Sequence, residues 1–133
     1  MLLEQEAEIL VTKSIYLPLV RKVLERDMEK IKQADLKFHE PYLTIVDRTI
    51  IRVGYDLGIV KRQLKNKRIF VYDQGIKEGR CTYLVVNRGY RHERSLFPHL
   101  VKQTVETYVT GYLNGSSFQG VPLEQIKLGI RST

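Results

Sequence analysis

The residues best equipped for chemistry in this 133-residue chain are cations crowded into its middle. Lys61, Arg62, Lys65, Lys67 and Arg68 place five basic side chains in eight positions; Arg88, Arg91 and Arg94 follow, with Tyr90 among them. Arginine presents a planar fork that grips a phosphate at two oxygens, and a tyrosine ring is a surface on which a base can stack. That is the chemistry of anion and nucleic-acid binding. The same residues also suit a solvated helix end, because positive charge near a helix C-terminus complements the helix dipole. What separates the two readings is whether the fold gathers these groups.

Other chemistry finds less support. Asp73, Glu78 and Arg80 have the residue types of a metal-dependent nuclease, but they surround a turn, a poor place to hold carboxylates at fixed metal distances. Cys81 with His92 or His99 has the types of a nucleophile and its base. Nothing in their spacing brings them together, and a single cysteine in an apolar strand ordinarily serves as a small core residue. Gly54 and Gly58 lack the Lys-Ser or Lys-Thr that completes a phosphate loop. Cys81, His39, His92 and His99 form no close pair of the kind a zinc site needs. The sequence therefore points to no metal, no cofactor, no small-molecule ligand and no catalytic residue.

The formal charge is +7, and it is unevenly spread. Residues 1–40 carry 7 basic and 8 acidic side chains, residues 41–95 carry 12 and 5, and residues 96–133 carry 3 and 2. An electrostatic partner is thus expected at the middle stretch. The lone cysteine forms no intramolecular disulfide, and the N-terminus is acidic where a secretory signal is basic. With no run of about 20 apolar residues, the expectation is a cytoplasmic protein that does not enter a membrane.

The elements that must position these groups begin with apolar residues at helical spacing over about 3–17. Pro18 lacks the N–H a helix interior needs, so a break is expected before a second helix over 19–35. Leu43, Val46, Ile50, Val53, Leu57, Val60 and Leu64 then alternate spacings of three and four, a heptad stripe on a helix over about 42–66. Gly54 and Gly58 share one face of it, which implies a close neighbour or a bend. A coiled-coil seam and a core stripe both fit the pattern.

After Arg68 the period becomes that of strands. Residues 68–73 and 80–87 read as an antiparallel hairpin, with Ile69 opposite Val85 and Val71 opposite Tyr83 if the turn centres near Lys77. Both faces of that hairpin are apolar, so a third strand, helices or a second subunit must cover it. Such a hairpin draws the basic residues flanking it together at its open end. A last helix spans about 96–113, and residues 116–133 form a tail with room for a short helix over 122–129.

The expected fold is α+β: one domain over 1–115, with three to four helices packed on a small antiparallel hairpin or three-stranded sheet. The first functional reading is a non-catalytic interaction or regulatory module that self-associates through the heptad stripe or a hairpin face. The alternative is a DNA- or RNA-binding protein using Lys61, Arg62, Lys65, Lys67, Arg68, Arg88, Tyr90, Arg91 and Arg94. A helix followed by a hairpin is also the order of winged-helix DNA-binding modules, with Arg48, Arg52, Tyr55 and Arg62 outward. The helix is too long for that, however, and no tight elbow precedes it. A hydrolase is the third reading.

Overall fold

A computed structural model of the chain describes residues 3–115 and 131–132. The short helix expected over 122–129, like most of the expected tail, lies outside the described residues.

Helix α1 spans Gln5–Gln33 and passes through Pro18 without interruption. One helix thus replaces the two expected on either side of the proline. Leu10, Val11, Ile15 and Leu17 before it, and Val20 and Leu24 after it, are all buried in the same core. Packing on both sides holds the two halves in line against the hydrogen bond that proline cannot donate. Helix α2 spans Glu40–Asn66 with Pro41 in its first turn, where no N–H is missed. It runs antiparallel to α1, as the ion pairs from Lys67 back to Glu4 (3.2 Å) and Glu6 (3.8 Å) require.

The heptad stripe of α2 is divided. Val53, Leu57, Val60 and Leu64 are buried against α1, whereas Leu43, Val46 and Ile50 near the start of the helix are only half-buried. The C-terminal half of the stripe is therefore core and cannot also be a dimer seam. No close neighbour explains the glycines. A Cβ on Gly54 would meet only the tip of Arg21 at 4.0 Å, and one on Gly58 would meet nothing, while α2 continues unbroken through both.

The sheet is an antiparallel meander of β1 (Ile69–Lys77), β2 (Arg80–Asn87) and β3 (Tyr90–Leu96). A two-residue strand β4 (Arg131–Ser132) pairs with Arg94 and Ser95 of β3, an addition the sequence does not announce. The first hairpin turns at Glu78-Gly79, not around Lys77, and Val71 lies opposite Val85 where Ile69 was expected. The slip is two residues. Because strand side chains alternate with period two, every residue before the bulge keeps its expected face. A bulge between Asp73 and Ile76 absorbs one extra β1 residue, and the Asp73 carboxylate accepts the Gly75 N–H at 2.8 Å to shape it. Both hairpins close through two residues of positive φ, Glu78-Gly79 and Arg88-Gly89, the geometry that matches the twist of the strands.

One face of the sheet, with Ile69, Val71, Tyr83, Val85 and Leu96, lies against the helical core. The opposite face leaves Phe70 and Tyr72 exposed. Helix α3 (Pro98–Leu113) completes the core, with Tyr108 stacked on Tyr16 of α1 at 5.8 Å between ring centroids. The described residues form an α+β fold with three helices, the low end of the expected number. No helix among the described residues is long and apolar enough to cross a membrane.

Candidate anion-binding surface

Helix α2 ends one residue before a left-handed step. Lys67 caps it, and Arg68 follows at φ 58°, a position where helices commonly place glycine. Across the sheet, the second turn holds Arg88 at φ 52°. The Arg88 N–H donates to the Arg68 carbonyl at 3.3 Å, so the two arginines are tied together by their backbones. With Asn66, Lys67, Phe70, Val86 and Gly89 they line an open hollow of about 630 Å³. The expected convergence at the open end of the first hairpin thus occurs for Lys67, Arg68 and Arg88. Tyr90 stands opposite Asn87 and Arg91 opposite Val86, one strand further on, both exposed.

The remaining cations are distributed differently. Lys61 and Lys65 border a separate hollow of about 450 Å³ between α1, α2 and β1, and Arg62 is exposed on α2 beside neither hollow. Lys67 is neutralised by Glu4 and Glu6. Arg94 is not part of the basic surface at all. Alternation along β3 turns it towards the helices, where it is 2% exposed and held by both oxygens of Glu8 at 2.5 and 2.6 Å. A buried guanidinium needs a carboxylate in that fork geometry, and Glu8, 86 residues away, supplies it. By contrast, no ion pair among the described residues engages Arg68, Arg88 or Arg91.

The sheet register does not bring Cys81 and His92 together. Cys81 and His92 lie on neighbouring strands, but Cys81 faces Leu96 while Val85 faces His92, an offset of four residues or about 13 Å along the strand. Burial, followed by the charge of Arg94, pushes the His92 imidazole below its ordinary value. The Asp73 carboxylate is engaged in the bulge, and Glu78 sits at the tip of the turn. Among the described residues no three His, Cys, Asp or Glu side chains cluster as metal ligands would.

Two features escaped the sequence. Phe70, on the alternation already read from the hairpin, belongs to the basic hollow rather than to the core. The second is a buried polar knot that joins all three helices. Lys13 lies inside the core, where burial pushes its ammonium down to about 8 and the Asp56 carboxylate opposes the shift. Asp56 accepts the Tyr112 hydroxyl at 2.7 Å, and burial and that bond hold the phenol well above its usual range. Arg52 donates to the Tyr112 carbonyl at 2.5 Å, bringing positive charge to the C-terminal end of α3. Arg52 therefore braces the core rather than facing outward. Neither Lys13 nor Asp56 lines either hollow.

Comparison with known proteins gives kinship without an activity. No solved structure matches the chain. It is 24% identical over 111 residues to a protein of Bacillus subtilis (strain 168) named Uncharacterized protein YhjD, covering 84% of this chain and 92% of that one. The family model described as YhjD protein matches residues 1–117, and the chain belongs to that family.

Proposed function

We propose that this protein is a non-catalytic cytoplasmic binding module that takes nucleic acid at the open end of its sheet. One observation carries the reading. Arg68 and Arg88 occupy left-handed backbone on the rim of a single hollow, without an acidic partner among the described residues, although glycine or asparagine would be favoured at both positions. Arg91 extends the charge along the same side of the sheet. The separation of Cys81 from His92 and the engagement of Asp73 support a role without catalysis.

Fluorescence anisotropy of labelled oligonucleotides across a salt series tests the proposal. Three arginine–phosphate contacts give a log–log slope of about −2 to −3 with salt. Changing Arg68 and Arg88 together to Asn should flatten that slope by roughly 1.5 to 2. Binding with no salt dependence, or none at low salt, refutes it.

Self-association is a second reading, favoured by the distal end of the α1–α2 hairpin. There Phe38, Tyr42 and Ile45 are exposed beside the half-buried Leu43 and Val46. Light scattering over a concentration series tests it, and a monomer at high micromolar concentration removes it.

A further inference from the structure

We infer that the outer face of the sheet selects single-stranded nucleic acid by stacking bases on Phe70 and Tyr72, an inference that rests on the phosphate-binding reading above. β1 is an edge strand, and these two residues lie at i and i+2 on its outer side, 47% and 52% exposed. Their Cα atoms are about 7 Å apart, so each ring can take its own base. Of their cross-strand partners, Val86 is half-buried and extends the apolar strip, whereas Leu84 is buried beneath it. Beyond Val86, in register, stands Arg91 on β3.

The hollow joins this strip to the arginines, because Phe70 lines it together with Arg68 and Arg88. A strand of nucleic acid laid over the face would meet cations at the end of the sheet and aromatic rings along its edge. That combination binds single strands with little regard to sequence, since every base has a π-face. A duplex can satisfy the arginines but not the rings, because its bases are already stacked on one another. The acid on this face, Glu93, lies 3.9 Å from Lys77, which offsets its repulsion of a phosphate chain.

The test uses the full chain and fluorescein-labelled DNA of about 12 nucleotides, within the span such surfaces cover, single-stranded and as a duplex. The single strand should bind at least about tenfold more tightly. Phe70→Ala and Tyr72→Ala should each weaken it by about 5- to 150-fold. Neither change removes a charge, so the salt slope should stay as in the parent chain. Tyr72→Phe keeps the ring and should keep the affinity. Should an alanine variant fail to fold, Phe70→Leu retains the apolar volume and still loses the stacking surface.

Equal or tighter binding of the duplex, or unchanged affinity in both alanine variants, overturns the stacking inference while leaving the arginine site intact. A loss of affinity that coincides with dimer dissociation in sedimentation also overturns it, because the face would then be an interface between copies of this chain. Absence of salt-dependent binding to either nucleic acid defeats the underlying reading itself.

Discussion

Replacing Arg88 by asparagine should make the protein more stable and a poorer ligand for phosphate. Arg88 sits at φ 52° in a two-residue turn, followed by Gly89 at φ 88°. An L-residue with a long side chain pays about 1 kcal/mol or more in that region, whereas asparagine is relieved by its local hydrogen bonds, and Asn-Gly is the favoured pair for this turn. The backbone N–H that reaches the Arg68 carbonyl is retained, and Arg88 has no ion pair to lose among the described residues. A gain of about 0.5–1 kcal/mol follows, which in a chain of this size raises Tm by roughly 2–4 °C. Arg68→Gly should act in the same direction, since Arg68 occupies the glycine position after the cap of α2. Glu78, also left-handed at φ 52° but at the other end of the sheet, is an internal control. Glu78→Asn should stabilise by a similar amount and leave binding unchanged. Thermal melts followed by circular dichroism, paired with anisotropy at two salt concentrations, read both quantities. A lower Tm for Arg88→Asn would refute the conformational argument. Stabilisation with undiminished affinity would refute the link between these arginines and phosphate.

Three further outcomes follow from the packing of the helices. Glu8→Ala strands the Arg94 guanidinium in the interior and should cost about 3 kcal/mol in urea denaturation; a loss below about 1 kcal/mol would mean that the pair is solvated. Gly58→Ala places a methyl in open space on α2 and should stabilise by about 0.5–1 kcal/mol, whereas destabilisation would reveal a neighbour at that face. Lys13, pushed down to about 8 by burial, holds its proton less tightly folded than unfolded, so stability should rise from about pH 8 towards the ordinary lysine value of 10.5. Tyr16 and Tyr83, pushed up to about 12 by burial, act in the opposite sense: their contribution is whole below pH 10 and is lost as pH climbs towards 12. Denaturation across that range should show the rise in the parent chain and its loss in Lys13→Met. A flat profile from pH 8 to 10 in the parent would contradict the burial of Lys13.

The sequence made the order and faces of the elements legible because both rest on periodicity. The stripe of α2 names its own buried side, and the hairpin alternation survives a two-residue error in register because that error is even. Three features were not legible, each for a physical reason. Pro18 reads as a break because the cost of proline is local, while the packing of Val20 and Leu24 that outweighs it is tertiary. A third strand could be expected but not placed, because Arg91-His92-Glu93-Arg94 is uniformly polar, and only the distant Glu8 lets Arg94 face inward. The turns Glu78-Gly79 and Arg88-Gly89 lack the asparagine or aspartate that advertises such geometry. Of the basic group, proximity at the hairpin's open end was legible. The split between cations with acidic partners and those without was not, because Glu4, Glu6 and Glu8 lie far away in sequence.

The most direct measurement is a map of amide chemical-shift changes in the 15.6 kDa protein on adding a short single-stranded oligonucleotide. Changes should form one continuous patch over Arg68, Phe70, Tyr72, Val86, Arg88 and Arg91, fading as salt is raised. Changes confined to the distal hairpin around Phe38, Tyr42 and Ile45, or none at low salt, would contradict nucleic-acid binding at the open end of the sheet.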